Sequence, residues 1–356
     1  MPDQARAPAS QVPVIDLSAS QGNDEQRLAL AQSLRDICHQ VGFFVIENHG
    51  IEPSIVDQAF GYSKRFFALP LEQKLLIDKR KSPYFRGWEA EGAESTNNRA
   101  DIREQIDLWT DHQPVKTPGQ PHYLNLLGPN QWPPEDILPG FRLSIQQYID
   151  AMNRLGDQLM SLLALGLDLP ADFFDKRFGR DRMSLTKLIR YPPTPAGEFG
   201  VNAHQDTGFL TILNPGETPG LEIKMPDGSW LPVPIIDNSF VINLGEMLQA
   251  MSGNYFVATP HRVAASRQRF SIGYFHGPAL DTSISRIPLA DEFVAAVAAS
   301  PRHSDAGFMA PIKATQAGVQ DMQGELQAST FGDQLWNYFC RSYPDNAKRF
   351  YPDQVD

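Results

Sequence analysis

The sequence predicts a mainly β protein with flanking helices: a helical lead-in, an antiparallel sandwich or jelly roll, and a closing helix. Two observations carry that expectation. In the first half, apolar residues recur at intervals of three and four, the period of helices packed on one face. From residue 183 the chain changes to short β-rich runs separated by Gly, Pro, Asn or Asp, the pattern of antiparallel sheets.

Residues 1–11 read as a disordered leader, and VPVIDLS (12–18) as a short strand. Residues 24–40 carry Leu28, Leu30, Ala31, Leu34 and Ile37 at helical spacing, with Gly42 as the stop. GFFVIENHG (42–50) reads as a buried strand ending in a turn, and 53–68 as a second amphipathic helix. Residues 84–120, rich in Gly, Asn and charge, are expected to be long and partly irregular. A long helix follows over 139–166, with Phe141, Leu143, Ile145, Tyr148, Ile149, Met152 and Leu155 in its apolar stripe.

The strand-like runs are SLTKLIRY, FLTILN, LEIKM, WLPVPI, FVINLG, HRVAAS and RFSIGYF, and Asp227-Gly228 is a hairpin turn between two of them. Residues 281–325 lose the pattern, and 331–343 form an apolar helix. With no internal repeat and no clear linker, 12–356 is expected to be one domain. It would comprise a mainly helical lead-in to 180, a β core over 181–280, and a C-terminal loop and capping helix over 281–356.

Composition narrows the function classes. Apolar residues at 42% suffice for a large core, and charged residues at 21% speak against wholesale disorder. A net charge of −11 disfavours nucleic-acid and anionic-membrane partners, which select a basic face. Cys38 and Cys340 are isolated thiols in apolar segments, neither a disulfide framework nor a zinc motif. The first residues lack the apolar stretch of a secretory signal, and no apolar run approaches the ~18 residues that span a bilayer. A cytoplasmic enzyme with a small-molecule substrate is the expectation.

The chemistry concentrates in the β half. His204-Gln205-Asp206 places an imidazole and a carboxylate at i and i+2, positions that share one face of a strand. Such a triplet alone is a weak signal, because it arises readily by chance. It gains weight from His261, which begins another strand-like run. Two imidazoles and one carboxylate form the facial triad that leaves three positions open on Fe(II), two for a 2-oxo acid and one for dioxygen. Arg269 and Ser271, again at i and i+2, offer a guanidinium and a hydroxyl to a buried carboxylate. An Arg within an apolar strand of the core needs an anion to meet.

AHQDTGFLTIL, VINLGEMLQAMSGNYFVATPHRV and RFSIGYF, with VPVIDLS, CHQVGFFVIENHGI and FFALPLEQK before them, resemble the iron(II)/2-oxoglutarate dioxygenases related to isopenicillin N synthase. The similarity covers roughly residues 12–280. It implies a distorted double-stranded β-helix, iron held by His204, Asp206 and His261, and 2-oxoglutarate clamped by Arg269 and Ser271. Tyr191 matches a Tyr that many members place near the co-substrate, although core packing accounts for it equally well. Lys187 shares its strand face and would assist. His49 belongs to the structural Asn-His-Gly turn.

The implied reaction consumes O2 and releases succinate and CO2 while a substrate C–H bond is oxidised. The alternatives are a related iron oxidase that dispenses with 2-oxoglutarate, a non-catalytic receptor in the same funnel, and a metal-storing or structural jelly roll. Finally, Glu94-Ser95-Thr96 and Arg341-Ser342-Tyr343-Pro344-Asp345 resemble segments of bacterial ethylene-forming enzymes. That likeness implies a small, amino-acid-like substrate held by Glu94, Thr96 and Arg341, under a C-terminal helix whose Trp336 and Phe339 exclude water.

Overall fold

The computed structural model describes residues 11–96, 99–115, 117–300, 303 and 329–354. Residues 1–10 of the expected leader, and 301–302 and 304–325 of the patternless stretch, lie outside them.

Strand alternation organises the molecule. One large sheet runs β1 (Val14–Asp16), β2 (Phe43–Glu47), β12 (Phe240–Leu244), β9 (Leu210–Asn214), β14 (Arg269–His276), β7 (Leu185–Tyr191), β6 (Glu104–Trp109) and β3 (Gly87–Glu89). All its pairings are antiparallel except β1 with β2. A smaller sheet runs β11 (Trp230–Pro232), β10 (Leu221–Lys224), β13 (His261–Val263) and β8 (Val201–His204). A two-stranded ribbon, β4 (Ser95–Thr96) with β5 (Arg99–Ala100), packs beside β8.

Successive side chains in a strand point to opposite faces. Phe44, Ile46, Ile106, Leu108, Leu188, Ile212, Ile242, Ile272 and Tyr274 therefore leave the large sheet on its outer side. There they join the main core with the helices α1 (Asp24–Gln40), α2 (Pro53–Phe67) and α4 (Phe141–Gly166). Phe43, Val45, Ile189, Tyr191 and Val241 leave on the inner side and form a second core with Val201, Leu221, Ile223 and Val263 of the small sheet. Two facing antiparallel sheets with helices outside is the architecture the sequence pattern implied.

The helices begin and end where local chemistry dictates. Asn23 and Gln26 form a reciprocal capping box at the start of α1. At its end, Gly42 takes a positive φ of 67°, and an added Cβ would collide with the Val257 carbonyl. The buried stripe of α1 is Leu30, Ala31, Leu34 and Cys38. Leu28 and, in α4, Leu143 fall off their stripes and are exposed, contrary to expectation. Short helices α3 (Leu71–Lys74), α5 (Phe173–Phe178), α6 (Glu246–Met251) and α7 (Asp291–Ala299) punctuate the chain. The C-terminal helix α8 (Phe331–Ser342) opens on a Thr330–Asp333 capping box and is followed by α9 (Pro344–Phe350).

The lead-in is less helical than expected, for the supposedly irregular segment 84–120 supplies β3 and β6 to the large sheet. All six residues of β6 are buried. Its strand character is masked because Gln105 and Asp107 point inward to buried ionic partners rather than to apolar ones.

Candidate active site

β8 and β13 are neighbours in the small sheet, and their register sets His261 directly opposite His204. The ladder thus joins residues far apart in sequence and brings their rings to a centroid separation of 4.3 Å. Asp206 arrives differently from the sequence expectation. β8 ends at His204, so the carboxylate reaches the imidazoles through the turn beyond the strand, not by alternation along it.

That turn is pinned twice. The Glu246 N–H donates to the Asp206 carbonyl at 2.8 Å, and Gln205 Nε2 donates to the Ala258 carbonyl at 2.7 Å, close to His261. Gly245 allows the approach, because a Cβ there would collide with the Gly208 carbonyl.

The three side chains fit a metal. Each offers one ligand atom, and these atoms lie within 4.8 Å of one another; Asp206 Oδ1 is 3.6 Å from Nε2 of both histidines. Ligands held ~2.1 Å from one ion stand roughly 3–3.5 Å apart, so only a slight contraction is needed. The tautomers also suit. His204 Nδ1 contacts the Asn202 carbonyl at 2.8 Å and His261 Nδ1 the Thr259 carbonyl at 3.2 Å. A carbonyl can only accept, so Nδ1 carries the proton and the Nε2 lone pairs face one another's space. Burial, with His261 nearby, pushes the His204 imidazole down to about 4, keeping it neutral and ready to ligate. Burial pushes Asp206 upward, but His261, His204, Thr211 and Asn243 together hold it below its ordinary value.

On the inner face of the large sheet, the register pairs Arg269 with Tyr191, Ser271 with Ile189 and Gly273 with Lys187. Arg269 is 1% exposed and stands 5.1 Å over the Tyr191 ring. Nη1 meets Ser271 Oγ at 3.2 Å, whereas Nε and Nη2 have no partner. Burying donors of a charged group unpaired is costly, so this guanidinium awaits an anion.

Lys187, expected beside the co-substrate, is turned elsewhere. Its ammonium lies 3.0 Å from Glu94 and 3.6 Å from Asp107. Glu94 also accepts from Arg103 and Gln105 at 2.7 Å each, and from Tyr338 of α8 at 2.9 Å. Burial raises Glu94, yet Lys187, Arg103 and Lys79 hold its carboxyl well below the usual carboxylate range. The cluster continues through Lys79, which donates to Glu89 at 2.6 Å, Asp107 at 2.7 Å and the Tyr343 hydroxyl at 2.9 Å. It adjoins the histidines: β4 packs on β8, and the Ile102 N–H donates to the Gly200 carbonyl at 3.1 Å.

Thr96 donates to Asp101 at 2.9 Å and so supports the cluster indirectly. Arg341 corrects the sequence reading. It is exposed, its Nε donating to the Asn337 carbonyl of its own helix at 3.3 Å, because the helix presents Tyr338 rather than Arg341 to Glu94. Trp336 and Phe339 are buried against Phe85 and belong to the main core. His49 is structural: it accepts from the Ile51 N–H at 3.2 Å and donates to the Asn238 carbonyl at 3.0 Å.

Sequence reasoning missed Thr211, Asn243, Gln205, Lys79 and Tyr338. The signal for the first two was available, since polar residues at alternate positions of apolar strands must find polar partners.

A sandwich of two sheets enclosing a two-histidine, one-carboxylate cluster and an unpaired guanidinium defines a non-haem metal enzyme that takes an anionic co-substrate. Comparison with known proteins specifies the family. Residues 182–278 match the model of the 2OG-Fe(II) oxygenase superfamily, and residues 12–135 that of the non-haem dioxygenase in morphine synthesis N-terminal region. The chain is 34% identical to the 2-oxoglutarate-dependent dioxygenase frbJ of Dothideomycetidae sp. (strain 11243), over 80% of this chain and 78% of that one. It is 30% identical to homoarginine-6-hydroxylase 2-ODD-233 of Oryza sativa subsp. japonica, over 81% and 92%. The crystal structure of a full-length Neurospora crassa protein in complex with alpha-KG and thymine superposes with a TM-score of 0.70 at 26% identity, over 81% and 93%.

The chain belongs to the 2OG-Fe(II) oxygenase superfamily. It is a non-haem iron dioxygenase that uses Fe(II), 2-oxoglutarate and O2 to oxidise a small-molecule substrate, releasing succinate and CO2. No helix among the described residues is long and apolar enough to cross a membrane.

Proposed function

We propose that His204, Asp206 and His261 hold the iron and that Arg269 and Ser271 take the distal carboxylate of 2-oxoglutarate, with Tyr191 steadying the guanidinium. The observation that carries this reading is a buried guanidinium with two unpartnered nitrogens, on the sheet face that looks across to a three-ligand cluster. Bound iron supplies the dioxygen chemistry. The protein's own part is to present neutral Nε2 atoms and one carboxylate oxygen, fix the co-substrate at its far end, and keep the site dry behind its inner core. The core is then a distorted double-stranded β-helix, and residues 12–356 work as one unit in the cytoplasm.

The substrate is a small polar molecule, amino-acid-like, that sits beside the ionic cluster around Glu94, whose own carboxylate is already met by Lys187, Arg103, Gln105 and Tyr338. Two things support this: the buried carboxylate stands beside the strand of His204, and the rice relative is named for hydroxylating homoarginine. With Arg341 turned to solvent, the partner for the substrate's acceptor end is not that residue.

The test has two parts. Replacing His204, Asp206 or His261 with Ala should abolish the thermal stabilisation that Co(II) gives the wild-type protein, together with succinate formation. Retention of both by any variant removes that residue from the triad. Basic amino acids should then perturb the anaerobic Fe(II)/2-oxoglutarate absorption band. A band that responds only to apolar acids would overturn the substrate reading and leave the iron assignment intact.

A further inference from the structure

Asp206 Oδ2, the carboxylate oxygen turned away from the histidines, accepts two hydrogen bonds, from Thr211 Oγ1 at 2.5 Å and from Asn243 Nδ2 at 2.7 Å. The amide must present its nitrogen, since a carboxylate oxygen only accepts. Thr211 lies on β9 and Asn243 on β12, and the ladder pairs them directly, so both leave the same inner face side by side. They are 6% and 2% exposed, so their polar groups have little access to water instead. Two adjacent strands of the large sheet thereby grip a side chain that belongs to the turn after the small sheet's edge strand. Oδ1 is left 3.6 Å from each histidine Nε2.

We propose that Thr211 and Asn243 are positioning residues that confine Asp206 to ligation through one oxygen, and so keep open a metal position that 2-oxoglutarate needs. The inference rests on the reading of Asp206 as a ligand. A carboxylate oxygen has two lone pairs, and both on Oδ2 are taken. For Oδ2 to reach the metal as well, one of two short, buried hydrogen bonds to a charged group must break, and such bonds are stronger than neutral ones. The consequence lies in the count of positions. Three protein atoms on a six-coordinate ion leave three, two for the 2-oxo acid and one for dioxygen. A carboxylate that chelates through both oxygens removes one of them. The pair therefore acts on co-substrate binding more than on metal retention, which separates this role from merely supporting a ligand.

The test is the double variant Thr211→Val/Asn243→Leu, which keeps side-chain bulk and deletes both donors. Co(II) affinity, measured by calorimetry, should stay within about threefold of wild type or tighten. The 2-oxoglutarate dissociation constant of the Co(II)-loaded protein should rise at least about tenfold, because one of its two metal positions is lost. Thr211→Ser, which restores a hydroxyl, should bind 2-oxoglutarate as the wild type does. Unchanged 2-oxoglutarate affinity in the double variant would overturn the proposal. So would parallel loss of Co(II) and 2-oxoglutarate, which would mean that the pair merely orients the ligand. If the double variant does not fold, the near-isosteric Thr211→Val alone must show the same split, at about threefold or more. A wild-type protein whose Co(II) binding survives Asp206→Ala would instead refute the ligand reading itself.

Discussion

Replacing Arg269 with Met should weaken the co-substrate and yet not harm the resting protein, and the two effects have opposite signs for one reason. In the protein without 2-oxoglutarate, the guanidinium is buried against Ser271 and the Tyr191 ring, and no carboxylate among the described residues pairs with it. Burial lowers its affinity for its proton below the ordinary value, which shows how unfavourable the site is for an isolated cation. An apolar side chain of similar length should be neutral there, or stabilising by about 1–4 kcal/mol. With 2-oxoglutarate bound, the same change strands a carboxylate, at a cost of about 2–5 kcal/mol. That weakens the co-substrate roughly 30- to 5,000-fold.

The assay is thermal unfolding of the Co(II)-loaded protein at rising 2-oxoglutarate. At one hundred times its dissociation constant, 2-oxoglutarate stabilises the wild type by about 2.7 kcal/mol; a 30-fold weaker variant gains only about 0.9. The variant's ligand-induced shift should therefore be no more than about a third of the wild-type shift, from a baseline that is equal or higher. A lowered baseline with an undiminished shift would refute the reasoning, since it would make Arg269 a structural cation with its anion already inside the fold.

Two further outcomes follow from the packing. Gly245→Ala should weaken Co(II) about 10- to 100-fold in a calorimetric titration, because the new Cβ drives into the Gly208 carbonyl and crowds the Asp206 carbonyl at 3.0 Å; unchanged affinity would show that the turn tolerates the shift. His276 faces Tyr274, Asp157 and Arg182, and burial, with Arg182 adding to it, pushes its imidazole down to about 3. The unfolded chain binds that proton first, near pH 6.5, so stability present above that pH is lost as it falls toward 3, by at most about 1.4 kcal/mol per unit. Urea unfolding at pH 7 and 5 should show a smaller acid loss for His276→Gln than for wild type, and equal losses would exclude this histidine as the cause.

Much of the β core was legible because its strands obey a rule with one variable. FVINLG and RFSIGYF send Phe240, Ile242, Leu244, Ile272 and Tyr274 to the main core from alternate positions, and both formed strands close to their predicted bounds. α1 and α8 likewise begin where their apolar spacing placed them, each on a capping box. What escaped were elements whose inner residues are polar for a reason that lies far off in sequence. β6 reads as Glu-Gln-Ile-Asp-Leu-Trp, and a strand carrying Gln105 and Asp107 looks like a loop until Lys79, Glu89 and Glu94 come into place around it. β8 was expected to run through Asp206, yet it is four residues long and ends on His204.

The same physics explains which site residues could be read. His261, Arg269 and Ser271 announce themselves because a polar side chain is costly in an apolar strand unless it has a partner, and the short spacing of His204 and Asp206 pointed to the same end of the sheet. Lys187 is equally costly there, and the strand pattern alone suggests the wrong partner, because Glu94 lies beside a separate ribbon and only the fold brings it within 3.0 Å. On β7 the inner residues run Tyr191, Ile189, Lys187, opposite Arg269, Ser271 and Gly273 of β14. Four residues of strand cover about 13 Å. Under the proposed assignment, one strand thus carries the co-substrate clamp at one end and the ionic cluster around Glu94 at the other, with the small residues Ser271 and Gly273 opposite the apolar and cationic positions between. Two like charges on adjacent strands are held apart in this way, with Glu94 as the lysine's anion and, under the proposed assignment, 2-oxoglutarate as the arginine's.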